Sequence, residues 1–406
     1  MKLRTICCCL GLLLIVGTIG TAQPRRLPPP SPACDGGSSL AEWGSQFHFS
    51  ACHTGYNPYE VVLSPATVGN LVLDWEYATG GFVTSSPTVA NGVVYVGNWY
   101  QNSLYALNAA TGVPLWTYKT GNIIFSSPAV ASGAVYFGSH DNNVYALNAD
   151  TGALLWEYTT GKTVYSSPAV ANDVVYVGSE DNNLYAFNAR TGTLLWKYTT
   201  GAEVRSSPAL AKGVVYVGSQ DGSLYALNAG TGVLLWKYTI GSYIDSSPAV
   251  VNGVVYVGSN DYNVYALDAD TGALRWKYST GGSIGYSSPA VANGVVYIGS
   301  WDYNLYALDA GTGVLLWEFT TANAIDSSPA VANGVVYVDS YDGTLYALNA
   351  GTGALLWQQA VATNEYSSPT VADGVLYVGG NDNNLHAFHL PGHLPSVGVG
   401  GKVRPR

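Results

Sequence analysis

The sequence predicts an all-β fold: an eight-bladed β-propeller of four-stranded antiparallel blades. Three observations predict it. The triplet Ser-Ser-Pro occurs eight times, with prolines at Pro87, Pro128, Pro168, Pro208, Pro248, Pro289, Pro329 and Pro369, at steps of 40 or 41 residues. A tryptophan keeps the same rhythm, at Trp75, Trp116, Trp156, Trp196, Trp236, Trp276, Trp317 and Trp357. The two ends of the repeat are complementary: the first tryptophan segment has no three segments before it, and the last unit has no tryptophan segment after it. Repetition at this period marks one repeat architecture.

Each unit divides into four strand-like pieces. In the unit that begins at Ser206 they are SSPALA, GVVYVGS, SLYALNA and VLLWKYT, separated by KG, QDG and GTG, which are turn sequences. The two middle pieces are apolar on both alternating faces, so both faces must be covered. A propeller blade, packed between two others, meets that requirement. A solenoid of small sheets is the competing arrangement, but it needs end caps, and none is visible. Closing the ring instead pairs residues 71–77 with residues 385–389.

Composition agrees. The 406 residues include 48 glycines, 31 tyrosines and one methionine. Charged residues make up 10% of the chain, against about 25% in ordinary domains. This is the profile of short strands joined by tight turns. The formal charge of -10, with no basic run longer than Arg25-Arg26, excludes a nucleic-acid partner.

The remaining segments flank the ring. Lys2 and Arg4 precede an apolar run from Ile6 to Ile19, followed by the small residues Gly20 and Ala22. Residues 1–22 therefore read as an export signal, with an uncleaved membrane anchor as the alternative. The expected location is secreted, periplasmic or cell-surface. Residues 23–42 form a proline-rich linker, 43–70 a lead-in, 71–390 the propeller and 391–406 a loose tail. Cys7, Cys8 and Cys9 fall inside the signal. Cys34 and Cys52 are left as a pair, and in an exported chain a disulfide between them is the default expectation.

The segment ALNAGTGVLLW, from Ala226 to Trp236, resembles the eleven-residue motif A-x-(D/N)-x-x-T-G-x-x-x-W of propellers named for pyrroloquinoline quinone (PQQ). HTGYNPYE, from His53 to Glu60, resembles the lead-in of bacterial PQQ-binding-like repeat proteins. The resemblance covers about Trp43 to Phe388. It implies that each of the eight repeat tryptophans docks against a neighbouring blade. The enzymatic branch of the family binds PQQ with calcium and uses an Asp base. It also carries long insertions and often an adjacent-cysteine disulfide. This chain has near-minimal blades, and its only adjacent cysteines lie in the signal. Arg205, Asp245, Asp326 and Glu365 are the residues that could converge in a dehydrogenase, which is the alternative function. The leading expectation is a non-catalytic, monomeric scaffold without cofactor or metal. No nucleophile-elbow, zinc-protease or phosphate-loop motif is present.

The individuality of the repeats collects on one face. Thr84, Phe125, Tyr165, Arg205, Asp245, Tyr286, Asp326 and Tyr366 stand just before Ser-Ser-Pro and should ring the mouth of the central channel. Trp99, His140, Glu180, Gln220, Asn260, Trp301, Tyr341 and Asn381 should form an outer ring on the same face. One reading is a binding face for a protein or carbohydrate ligand; the other is loop drift where packing exerts no restraint. Aromatic side chains favour binding, since they give contact area at low entropic cost. The repeated turn aspartates, such as Asp141, Asp181 and Asp221, read as turn-forming rather than calcium-binding. Lys197, Lys237, Lys277, Glu157 and Glu318 read as charges that protect the exposed edge strands.

Overall fold

The computed structural model describes residues 46–362 and 367–392. Eight sheets surround one axis, and six of them consist only of consecutive strands, inner to outer, in the order of the sequence. Blades 1 to 7 begin with the inner strands Thr88–Ala90, Ala129–Ala131, Ala169–Ala171, Ala209–Ala211, Ala249–Val251, Ala290–Ala292 and Ala330–Ala332. Blade 8 takes three strands from residues 370–389 and its outer strand, Val72–Ala78, from the other end of the chain. The register is antiparallel, with Leu73 opposite Phe388, Trp75 opposite Ala387 and Tyr77 opposite Leu385. The ring closes as the complementary ends predict.

The middle strands are covered on both faces because each blade packs between two others. Tyr176, Leu184 and Ala186 of blade 3 meet Val215, Val217, Tyr225 and Leu227 of blade 4 in one buried cluster. The turn between the first two strands takes two successive left-handed residues, such as Asn252 (φ 51) and Gly253 (φ 73). That conformation suits the strand twist and selects Asn-Gly.

The repeat tryptophans sit at the joints. In seven of them, from Trp75 to Trp317, Nε1 donates to an alanine carbonyl of the next blade at 2.8–3.2 Å. A tyrosine of the second strand donates its hydroxyl to the same carbonyl at 3.0–3.2 Å. The indole also covers the glycine of the next Thr-Gly turn. Gly232, at φ +71, lies so close to Trp196 that a Cβ there would collide with the ring. Trp357 differs: its ring meets Phe388 edge-on at 5.3 Å.

Both serines of Ser-Ser-Pro have fixed partners. The first accepts the backbone N–H at the end of its own blade's second strand, as Ser206 does from Gly218 at 3.1 Å. The second links the blades. Each of Ser86, Ser127, Ser167, Ser207, Ser247, Ser288, Ser328 and Ser368 donates its N–H to the hydroxyl oxygen of the next serine at 2.9–3.0 Å, and Ser368 returns to Ser86. Eight hydrogen bonds close a belt around the axis.

Blade 7 carries a short fifth strand beside its own four, because lead-in residues Tyr56–Asn57 pair in parallel with its inner strand, Tyr56 opposite Val331. The cause is general. An inner strand presents its free backbone edge to the channel, where its polar groups need partners. The lead-in supplies them around much of the ring. Gln46 exchanges two side-chain hydrogen bonds with Val170. Leu210, Val250, Val291 and Val331 donate to the carbonyls of Ala51, Cys52, Thr54 and Gly55. Asn57 Nδ2 donates to Val371 O at 2.9 Å. The lead-in is thus a plug inside the ring. Cys52 is disulfide-bonded; Cys34, the signal, the linker and most of the tail lie outside the described residues.

Candidate functional site

The loops entering blades 2 to 7 begin the site. Each ends in Ser-Ser-Pro, whose serines are pinned as above, so the residue just before them is held at the axis. Phe125, Tyr165, Arg205, Asp245, Tyr286 and Asp326 line one cavity. The second serines line its wall and Phe47 of the plug lines it as well, so the cavity is a cup sealed by the lead-in. Its unfilled space is about 480 Å³, part of it open to solvent at the mouth. Thr84 is not part of it: this residue is buried and donates to Ile124 O at 2.9 Å. Tyr366 and Glu365 lie outside the described residues.

The residues of the outer ring do not line the cup. Trp99, His140, Glu180, Gln220 and Trp301 each support the inner residue of the next blade, and Tyr341 supports that of its own. Trp99 packs edge-on against Phe125 at 5.0 Å. His140 lies against both Phe125 (4.8 Å) and Tyr165 (5.7 Å). Glu180 pairs with Arg205 at 2.9 Å, and Gln220 Nε2 donates to Asp245 Oδ1 at 2.9 Å. Trp301 Nε1 donates to Asp326 Oδ1 at 2.5 Å, and Tyr341 OH donates to Asp326 Oδ2 at 3.1 Å. From Trp99 to Gln220, and again at Trp301, the residue 25 or 26 positions further on is the inner residue that is supported. The two rings therefore form one two-layered site, a pairing that this offset in the sequence could have revealed.

One side of the cup is aromatic. Phe125 stacks on Tyr165 at 5.0 Å, and Tyr165 stacks on Tyr286 at 5.6 Å, joining blades 2, 3 and 6. The Arg205 guanidinium lies 5.8 Å from the Tyr165 ring and also pairs with Glu203 at 3.0 Å. Burial and the Arg205 charge hold the His140 imidazole down to about 4, so at neutral pH it is an uncharged plate. The other side is acidic. Asp326 is 3% exposed and Asp245 8%. Burial pushes Asp326 up to about 6, against the opposing effect of the Trp301 N–H. Burial also raises Asp245, partly offset by Gln220.

The plug contributes residues that the sequence did not mark as functional. Phe47 stacks on His48 at 5.0 Å and meets His53 edge-on at 5.4 Å. His48, Phe49 and His53 all take left-handed backbone conformations, at φ 54, 75 and 53. For non-glycine residues this is strained and persists only where the surroundings impose it. Burial lowers His48 to about 4; burial and then the neighbouring His48 lower His53 to about 3.

The turn aspartates have structural partners. Asp221 accepts from Ser223 N at 2.9 Å, from Gly201 N at 3.0 Å and from the Tyr225 hydroxyl, tying a turn to the loop entering its blade. Asp181 is held in the same way by Asn183, Gly161 and Tyr185. Among the described residues five large aromatics stand exposed, all on loops of the variable face: Tyr100, Tyr243, Tyr262, Trp301 and Tyr303. Only Trp301 was singled out by the repeat comparison.

The cup does not fit PQQ with calcium. A tricarboxylate requires a cationic lining, yet the cation of the cup, Arg205, is already shared by Glu180 and Glu203, and two further carboxylates face the same space. Among the described residues no three His, Cys, Asp or Glu side chains are placed to hold a metal ion.

Comparison with known proteins places this architecture. Residues 60–163, 121–244, 242–324 and 302–391 match the PQQ_2 family, described as outer membrane protein assembly factor BamB. No curated protein matches the sequence. Among solved structures, BamB from Moraxella catarrhalis superposes with a TM-score of 0.68 at 19% identity, covering 79% of this chain and 99% of that one. A europium-containing methanol dehydrogenase gives a TM-score of 0.74 at 16% identity, covering 86% and 99%. The computationally designed Ika8 protein gives 0.70 at 20% identity, covering 77% and 97%. At these identities the likeness is one of fold.

Proposed function

The chain belongs to the PQQ_2 family of outer membrane assembly factor BamB-like propellers, and on that premise we propose that it is an exported, non-catalytic scaffold that binds a partner through its variable face. The observation that carries this reading is the cup. The six inner residues that differ most between repeats meet in one cavity based on the plug, on the face whose loops also carry exposed aromatics. Exposed aromatic side chains collected on one face favour recognition. The family description, an outer-membrane assembly factor, supports a protein partner in the cell envelope. A carbohydrate partner rests on the aromatic rings alone. The dehydrogenase alternative is not favoured, because the cup opposes the charge of its cofactor.

The test is capture of envelope partners by the purified chain and by a Phe125→Ala, Tyr165→Ala, Tyr286→Ala variant, with thermal melting as the control for folding. The expected result is loss of the partner from a variant that still melts cooperatively. Unchanged capture by the variant overturns the reading.

A further inference from the structure

The charges facing the cup do not balance. Arg205 is neutralised twice over, by Glu180 at 2.9 Å and Glu203 at 3.0 Å. Asp245 and Asp326 hold neutral donors: Gln220 Nε2 on the first, and Trp301 Nε1, Tyr341 OH and the Tyr286 N–H on the second. These donors orient the carboxylates without supplying a counter-charge. Arg205 attracts Asp245 across the cup, but it is already shared by two glutamates, so two nearly buried carboxylates face one cavity with no cation of their own; that is unfavourable, and burial raises both. The remaining lining is what a cation favours. Tyr165 and Tyr286 line the same cavity with their rings stacked on each other, and the serine hydroxyls of the belt are acceptors, each already taking one N–H from its neighbour.

We propose that the cup binds an alkylammonium group, from a free amine or a lysine side chain, with its charge between Asp245 and Asp326 and its alkyl chain beside the Tyr165–Tyr286 stack. The assignment rests on the binding-face reading above and names its ligand chemistry. Arg205 lines the same cup and is the charge that offsets its acidic lining, so removing it leaves the cup more acidic. The exposed mouth admits a side chain or a slender amine, and the Phe47 base limits how deep it reaches.

Titration calorimetry on the full chain tests this with five probes: 1,5-diaminopentane, Nα-acetyl-lysine amide, the same amide acetylated at Nε, maltotriose and calcium chloride. The diamine or the lysine amide should bind at one site, and acetylation at Nε should abolish binding. Asp326→Asn and Asp245→Asn should each weaken binding by about tenfold or more, the loss expected for a charge-assisted contact. Arg205→Gln should tighten it, which a merely structural role would not do. Diamine alone identifies a free amine as the source; the lysine amide alone identifies a peptide side chain. Saturable maltotriose or calcium binding with silent amines overturns the proposal. If mouth-dependent partner capture persists while the amines are silent, the ligand class fails and the binding face stands. If both are lost, the two readings fail together. Melting of each variant separates misfolding from lost affinity.

Discussion

Between blades 6 and 7, Trp317 Nε1 and Tyr297 OH converge on the Ala350 carbonyl at 3.0 Å each. Between blades 7 and 8, the corresponding Tyr337 hydroxyl is fully buried and has no hydrogen-bond partner among the described residues, while Trp357 rests on Phe388. The difference follows from closure. The third strand of blade 8 ends at His389, and Leu390-Pro391-Gly392 replaces the Asn- or Asp-Ala-x-Thr-Gly turn that presents the acceptor elsewhere. The lead-in seals that seam by other means. Leu63, Val68 and Leu71 join the buried cluster of Tyr337, Val371 and Phe388, and Glu60 Oε2 accepts from Gly374 N at 3.0 Å. Seven joints are thus encoded in the repeat. The eighth is encoded by a segment outside it.

Truncation of the joint tryptophans tests that difference most directly. Trp236→Ala should cost about 3–5 kcal/mol in urea unfolding, from lost packing over Gly272 and the Nε1 bond. Trp357→Ala should cost about 1 kcal/mol less, since the indole makes no such bond. Equal losses would break the comparison.

Acid should act next, through the plug. His48 and His53 titrate near 4 and 3 in the fold, below the ordinary 6.5. As pH falls below 6.5 the unfolded chain takes up protons that the fold refuses, so stability drops. Asp326 has the opposite sign: its folded value near 6 lies above 3.8, so the fold gains stability as pH falls from 6 towards 4. At pH 5 each of His48, His53 and His140 costs about 2 kcal/mol relative to neutral pH, while Asp326 returns about 1 and the raised Asp245 and Asp339 also oppose the loss. Urea unfolding of the chain and of a His48→Asn, His53→Asn variant at pH 5 and 7.5 isolates the plug: the chain should lose more stability on acidification than the variant. An equal change in both would mean that the histidines are not sealed in the ring.

The serine belt runs through every joint, including the eighth. Ser207→Ala removes the acceptor of the Ser167 N–H and should cost about 1–3 kcal/mol. Ser368→Ala should cost the same, and a smaller loss there would mean that the seam is loose.

The smallest effect concerns Asp339, at the position where the other seven blades place glycine. It is 1% exposed, its Oδ1 has no partner among the described residues, and burial raises it well above the usual carboxylate range. A raised carboxyl loses stability for the fold as pH rises. Asp339→Gly should therefore stabilise by about 1 kcal/mol, more at pH 8 than at pH 5, as read by melting temperature.

Much of this fold is legible because its reasons are local and repeated. The Asn-Gly turns, the Thr-Gly turns under the indoles and the apolar middle strands recur at fixed spacing. The missing strand at each end announces the closure. The inner residues of the cup were legible for the same reason: six of the eight positions before Ser-Ser-Pro line it. Thr84 was misplaced because a short hydroxyl can turn back to a backbone carbonyl instead of reaching the axis. The pairing of the two rings was missed because it joins consecutive blades, and a repeat alignment compares equivalent positions, not neighbouring ones. The plug was missed because residues 46–60 have no period, and their hydrogen bonds go to six different blades.

The sequence by itself determined the blade count, the strand order, the way the ring closes and the face that varies, since short-range pattern fixes all four. Only the tertiary structure decided that the channel is a cup, that the serines form a belt and that Asp245 and Asp326 share one space without a cation of their own. Those facts depend on distances across the axis, between residues up to some three hundred positions apart in the chain, such as Asn57 and Val371. No local pattern carries such distances, because closing the ring creates them.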